Sequence, residues 1–191
     1  MNKFYMFFLQ FSFIFITISI TDSSVQAQSN DDCSDAYSIA DLISNMEYED
    51  VVTSIEFDNT DATGGEDTNP ANIGCLDSEG VEHSLWFTFI GDGHSYEITT
   101  TACGVSDDEY LNTSQAVIYK GSCDNLDFIS CNRGQQSITV VEDRDFTFKA
   151  QLSTEVGVPY YILIDGGDYN DLPEFNLTGK FCLELKRLTP V

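Results

Sequence analysis

The chain has 191 residues and a formal net charge of −24, with 32 acidic side chains against 8 Lys and Arg. This excess of carboxylates argues against binding to nucleic acid or to anionic membranes, because both are bound through cationic patches. Intrinsic disorder is also disfavoured, since 42% of the residues are hydrophobic and 13% are aromatic.

The amino terminus has the pattern of a secretory signal peptide. A short basic start is followed by an apolar run over residues 4–20 and by the small-x-small sequence Val25-Gln26-Ala27. Residues 1–27 are therefore expected to be removed, leaving residues 28–191 as a single domain. The alternative is a retained membrane anchor, since the apolar run approaches the length of a spanning helix.

Six cysteines follow the signal sequence, and an even number in an exported chain predicts disulfides. They are Cys33, Cys75, Cys103, Cys123, Cys131 and Cys182. Structural zinc is the weaker alternative, because neither His83 nor His94 has zinc-ligand spacing to a cysteine. The favoured pairs are Cys123–Cys131, Cys33–Cys75 and Cys103–Cys182. The first would close a small loop and the second would fasten the amino-terminal segment, whereas strand parity supports the third.

The mature chain begins with a polar stretch, and then reads as short strands separated by turn-forming residues. Residues 36–43 predict a short helix or an irregular segment, and residues 58–73 a long exposed loop. Strands are predicted at 51–57, 85–90, 95–103, 115–120, 126–130, 137–141, 146–151, 159–164 and 175–186. This spacing predicts an all-β, antiparallel β-sandwich of the jelly-roll or Greek-key type with about nine strands.

Several short motifs resemble those of bacterial pre-peptidase C-terminal domains. They lie at residues 30–36, 62–63, 85–89, 98–104, 117–126, 131–132 and 148–166, and span nearly all of the mature chain. The resemblance implies a secreted, non-catalytic β-sandwich of the kind attached to exported proteases, adhesins and surface proteins. Residues 110–115 and 132–134 depart from the family pattern, which puts into doubt any calcium site that relatives form there.

The chain contains no nucleophile-elbow Gly-x-Ser-x-Gly and no His-Glu-x-x-His motif. His83 precedes Ser84, but a catalytic triad is defined by geometry and not by sequence adjacency. His94 lies in a turn-like sequence and is expected to be solvated. Carboxylate pairs for glycoside hydrolysis are numerous, but nothing distinguishes one pair. No catalytic residue is therefore assigned, and a secreted hydrolase is kept as the alternative.

Calcium is the ion that best suits these loops, because it takes oxygen ligands from carboxylates, amides and carbonyls. Residues 58–67 and 165–171 offer such oxygens, and the second loop gives the candidate metal ligands Asp165, Asp168 and Asp171. Neither loop matches the Asp-x-Asp-x-Asp-Gly pattern. The alternative is that these are solvated turn carboxylates.

Aromatic side chains in loops are the other candidate contacts. Tyr110 and Tyr169 are predicted to contact a ligand, whereas Trp86 lies in a run typical of a core. The sequence thus predicts a non-catalytic binding or adhesion module outside the cell, with a glycan or protein as partner. A purely structural or accessory domain is the third hypothesis. No nucleic acid partner and no membrane insertion of the mature chain are expected, and the oligomeric state is unassigned.

Overall fold

A computed structural model describes residues 30–64, 81–106, 109–133, 147–167 and 177–190. Its elements, in chain order, are a 3₁₀ turn at Cys33–Asp35, β1 (Tyr37–Ser38), α1 (Ala40–Ile43), β2 (Val51–Thr53), β3 (Phe57–Asp58), β4 (Leu85–Ile90), β5 (Ser95–Thr101), β6 (Ser114–Ser122), β7 (Asn125–Arg133), β8 (Lys149–Ser153), β9 (Pro159–Gly166) and β10 (Lys180–Leu188). The all-β prediction is confirmed.

The ten strands form two five-stranded sheets. Sheet A has the strand order β1-β4-β9-β6-β7, and sheet B has the order β2-β10-β5-β8 with β3 paired to β10. All pairings are antiparallel except that of β1 with β4. From β4 to β6 and from β7 to β10 the chain changes sheet at each step. Such crossing connections are typical of Greek-key sandwiches.

The core lies between the two sheets and is built from alternating side chains of both. In β5, for example, Tyr96, Ile98 and Thr100 are buried while their neighbours are partly exposed, as the period of two requires. Aromatic rings join the sheets, and Phe57 lies edge-on to Phe87 with ring centroids 4.8 Å apart. Each fully buried Leu, Ile or Phe contributes about 1.5–3 kcal/mol to folding.

The predicted strand over residues 51–57 is in fact two short strands, β2 and β3, both paired with β10. Thr53 lies opposite Glu184 and Phe57 opposite Phe181, so one extra residue is accommodated between them. Ser54 fills this break, because its amide donates to the Leu183 carbonyl and its Oγ accepts from the Leu183 amide. The predicted strand at 137–141 lies outside the described residues.

A second apolar cluster lies on the outer face of sheet A, beneath the amino-terminal segment. We call residues 31–36 the arch. The arch follows Asn30, which exchanges two hydrogen bonds with the Trp86 backbone. The arch ends where β1 pairs with β4. In between, Cys33 packs with Trp86 and Tyr119 and is disulfide-bonded to Cys123. The arch therefore covers part of this face.

The structure confirms the Cys103–Cys182 disulfide and corrects two other predicted pairs. Cys33 bonds to Cys123, so both Cys33–Cys75 and Cys123–Cys131 are wrong. Cys131 is also disulfide-bonded, and Cys75 lies outside the described residues. The hairpin explains the second error. Cys131 lies six residues beyond the start of β7 at Asn125, or about 20 Å along an extended strand, too far for a disulfide to Cys123.

Candidate functional site: the loop end of the sandwich

The four longest connections between strands all leave from the same end of the sandwich. They span residues 59–84, 102–113, 134–148 and 167–179. The register shows why: Leu85 at the start of β4 lies opposite Ile164, and Ser114 at the start of β6 lies opposite Gly166, both near the end of β9. We call this the loop end. The opposite end, the turn end, carries the short connections 91–94, 123–124 and 154–158.

Asp165 is buried at the loop end and accepts hydrogen bonds from backbone amides and from an amide side chain. The backbone amides of His83 and Glu82 donate to its two oxygens at 2.9 and 3.2 Å, and Gln115 Nε2 lies 3.4 Å from one of them. Gln115 Nε2 also donates to the Gly166 carbonyl at 3.0 Å. Burial raises the pKa of Asp165 to about 6, although these donors favour the ionised form. One carboxylate thus joins the segment preceding β4 to β6 and β9.

These contacts bear on the predicted metal ligands. The Asp165 oxygens face backbone amides and an amide side chain, which are donors that a cation would have to displace. Asp168 and Asp171 lie outside the described residues. Within the described ranges, no group of three or more His, Cys, Asp or Glu side chains is placed to hold a metal ion. Calcium therefore remains a prediction, and the geometry of Asp165 fits a structural acceptor.

Asn59 joins two of the long connections. Its Nδ2 donates to the His83 carbonyl at 2.8 Å, while its Oδ1 accepts from the Gly179 amide at 2.8 Å. The side chain is fully buried, so the prediction of an exposed loop over residues 58–73 is wrong at this position. A sequence of turn-formers around Asn59 gave no sign of this burial, which depends on a partner 120 residues away.

A third polar contact fastens the roots of the remaining connections. Ser114 Oγ lies 2.7 Å from Thr100 Oγ1 and accepts from the Phe148 amide at 3.0 Å. Both hydroxyl side chains are buried. The sequence carried a signal for Thr100, because this residue has the same strand parity as the apolar Tyr96 and Ile98. It therefore had to face the core and find a partner there.

His83 and Ser84 are adjacent at the loop end but hydrogen-bond to different carbonyls. His83 Nδ1 lies 2.8 Å from the Ala62 carbonyl, which only accepts, so Nδ1 carries the proton. Ser84 is buried, and its Oγ donates to the Thr63 carbonyl at 3.3 Å. These contacts hold the connection 59–84 against β4. They give the two side chains a structural role.

Tyr110 is predicted as an exposed contact, and that prediction is wrong. Its side chain is only 6% exposed and packs in the main core, while its backbone forms a bridge with Lys180. The flanking amides and carbonyls continue this pairing, since Leu111 N donates to Lys180 O and Lys180 N to Glu109 O. Trp86 is buried, as expected. Tyr169, the other predicted contact, lies outside the described residues.

No family model, curated protein or solved structure matches this chain. The resemblance to pre-peptidase C-terminal domains therefore stays a hypothesis that rests on the short motifs. The function must be argued from the geometry of the sandwich itself.

The turn end holds a compact polar cluster that the sequence did not indicate. The Asp92 carboxylate accepts from Tyr96 Oη at 2.7 Å, and Arg187 lies 5.0 Å above the ring of Tyr48. His94 Nδ1 is 3.4 Å from Tyr48 Oη, so this histidine, expected to be solvated, has a protein partner. The cluster fastens residues 46–50 to β10 and to the turn at residues 91–94. It is a structural closure of the sandwich.

Proposed function

We propose that this protein is a non-catalytic binding or adhesion module that acts outside the cell and recognises a glycan or a protein. The observation that carries the proposal is the topology: every connection of more than ten residues leaves from the loop end. Binding residues are concentrated on loops that a rigid scaffold positions, as in other sandwiches whose loops gather at one end.

The roots of these connections are held by buried polar side chains, which supports the proposal. Asp165, Asn59 and Ser114 each join two or more segments at the loop end. The Cys103–Cys182 disulfide ties β10 to the residues that follow β5 at the same end. Fixed roots reduce the entropy that a binding surface loses when a ligand orders it. We therefore favour ligand recognition as the role of this arrangement.

The cellular location is part of the same proposal. Disulfides persist in oxidising compartments, so the two resolved pairs indicate an extracellular or periplasmic environment. In the described part of the chain, no helix is long and apolar enough to cross a membrane. We propose export through the signal sequence at residues 1–27 to the cell surface or the medium. Association with an exported protease, an adhesin or a surface protein is a further proposal, which rests on the motif resemblance.

Glycan and protein arrays probed with the oxidised protein test this function. Once a ligand is found, Leu177→Asp at the loop end is expected to weaken binding about tenfold, because the new carboxylate replaces an apolar contact and must lose its hydration when the ligand binds. Val156→Asp is the matched control, because Val156 is an exposed aliphatic residue at the turn end. Equal loss in both variants would place recognition elsewhere. Substrate turnover abolished by His83→Ala would establish the hydrolase alternative instead.

A further inference from the structure

The outer face of sheet A carries an apolar stripe at its turn-end half. The pairings Thr88–Tyr161, Tyr161–Tyr119 and Tyr119–Phe128 form one row across four strands, and Ile90 lies opposite Pro159 in the next row. Ile90 shares the strand parity of Trp86, so its side chain lies on the outer face. The outer stripe consists of Ile90, Leu126, Phe128, Pro159 and Tyr161.

This stripe is exposed, whereas the loop-end half of the same face is covered. Ile90 is 55% exposed and Phe128 is 41% exposed, and the other three side chains are partly exposed. In the adjacent row towards the loop end, Trp86, Leu163 and Val117 are fully buried, and the arch packs against them. The Phe128 ring packs edge-on against Tyr119 at 6.4 Å, which fixes its orientation. Leu126 and Tyr161 pack against the cluster beneath the arch, so the stripe continues that cluster as one apolar surface.

Two exposed carboxylates lie beside the outer stripe: Asp124 directly follows Cys123, and Asp35 lies on the arch. Within the described part of the chain, neither takes part in an ion pair. Asp127 alternates with Leu126 and Phe128 and lies opposite Lys120, so its side chain is on the other face of the sheet. The neighbouring base, Lys120, is already paired with Glu155 at 3.0 Å. The rim is thus acidic and uncompensated.

We propose that the outer stripe docks a cationic amphipathic segment of another polypeptide. Apolar side chains of that segment would cover the stripe, and its Lys or Arg side chains would meet Asp35 and Asp124. Charge complementarity selects this occupant over a second copy of the chain, because two molecules of net charge −24 repel each other. The surface is distinct from the loop end, so this inference stands independently of the proposed function.

The test is a titration of the ¹⁵N-labelled, oxidised protein with a short synthetic peptide of alternating Leu and Lys, followed by amide chemical shifts. Shifts are expected to centre on β4, β7 and β9. The double variant Ile90→Ser/Phe128→Ser is expected to bind about tenfold more weakly. The control is Ile55→Ser/Val156→Ser, which removes two more exposed aliphatic residues, 62% and 78% exposed, and leaves the charge unchanged. It is expected to bind as the parent does.

Three results would overturn the proposal. Equal binding by both double variants, with shifts spread over the acidic loops, would show general electrostatic attraction. Equal binding of a peptide of alternating Ser and Lys would show that the apolar stripe is not used. Concentration-dependent shifts of the stripe without peptide would make a second copy its occupant. If the double variant melts early, the single variant Ile90→Ser serves in its place, because Ile90 is more than half exposed.

Discussion

Asp165 is the only acidic side chain that the described part of the structure buries. Its burial costs free energy because it disfavours the charge, but it also provides an acceptor for backbone amides. Burial disfavours the charged form, which is why the pKa rises to about 6. In return the carboxylate accepts from two backbone amides that would otherwise be unpaired where the connection 59–84 enters β4. An unpaired buried amide costs about 1–3 kcal/mol.

The raised pKa predicts a pH dependence of stability with a definite sign. The folded protein binds this proton more tightly than the unfolded chain, whose ordinary Asp pKa is 3.8. The stabilisation is complete below pH 3.8 and is lost as the pH rises through 6, a change of about 3 kcal/mol at most. We expect Asp165→Asn to remove this part of the slope in urea unfolding between pH 4 and 7.

The matched control for this experiment is Asp61→Asn, an exposed carboxylate at the same end. It removes the same formal charge without removing the buried acceptor. Its unfolding free energy should follow the pH slope of the parent protein. If Asp165→Asn and Asp61→Asn show the same slope, the burial of Asp165 does not govern the titration.

Gly166, the residue after Asp165, is predicted to have no room for a side chain. A Cβ at this residue would lie 1.8 Å from the Leu177 carbonyl oxygen, which is backbone and cannot move aside cheaply. We expect Gly166→Ala to lower the free energy of unfolding by about 3 kcal/mol. Gly104→Ala is the comparison, since Gly104 has open space and a φ of +78°, and should cost about 1 kcal/mol. Equal losses in denaturant titrations would contradict this packing.

At the scale of the elements, the sequence predicted the long strands better than the segments that cover them. The predictions for β4, β6, β7 and β9 place these strands correctly, and the prediction for β5 also places its apolar alternation correctly. The covering segments are too short to show a period: β1 has only two residues, and none of the residues of the arch belongs to a strand. Segments of that length are positioned by distant partners, such as Cys123 for Cys33, and carry no local pattern.

The same difference between a local sequence pattern and a distant tertiary contact explains which predictions for the candidate site were right and which were wrong. Tyr110 and Asn59 lie in sequences rich in turn-formers, so composition predicted exposure, whereas tertiary contacts bury both. Strand parity is a local property that survives folding, and it supported the Cys103–Cys182 pair correctly. Proximity in sequence suggested Cys123–Cys131, but an antiparallel hairpin carries the two apart. Topology, which the sequence does not display, decides such cases.

The position of Trp86 beneath the arch predicts that loss of the Cys33–Cys123 disulfide changes the tryptophan fluorescence. Trp86 is the single tryptophan and lies beneath the arch, so its fluorescence reports on this cover. We expect Cys33→Ala/Cys123→Ala to lower the free energy of unfolding by about 3 kcal/mol and to make the folded-state emission red-shifted and more accessible to acrylamide. Cys103→Ala/Cys182→Ala should destabilise similarly but leave the emission of Trp86 unchanged, because that pair lies at β5 and β10 in sheet B.

An identical emission spectrum for both double variants would show that the Cys33–Cys123 bond does not hold the arch in place. Within the described residues, Trp86 Nε1 and Tyr119 Oη are buried without a hydrogen-bond partner. Release of the arch would let water reach these atoms, which adds to the expected red shift.

At the scale of the whole molecule, acidic residues predominate in the connections at both ends of the sandwich. The four long connections at the loop end contain fifteen Asp and Glu residues against one Arg, and the three short connections at the turn end contain three acids. Some strand residues are paired, such as Lys149 with Glu97 at 2.7 Å in sheet B, and Lys186 of β10 with Glu49 before β2 at 2.6 Å. The loop end therefore carries the largest number of carboxylates because its connections are the longest, and not because they are more acidic.

This distribution predicts that salt stabilises the protein. Repulsion among like charges opposes the compact state, and the screening length shortens from about 30 Å at 0.01 M to about 10 Å at 0.1 M salt. We expect the melting temperature to rise with NaCl, and to rise equally with CaCl2 and MgCl2 at matched ionic strength. An additional increment with CaCl2 that grows with the logarithm of its concentration would contradict screening alone, because a specific site stabilises by mass action. The variant Asp165→Asn would then show whether that site includes the buried carboxylate: a lost increment would place calcium there, and an unchanged one would place it among the other acids of the loop end.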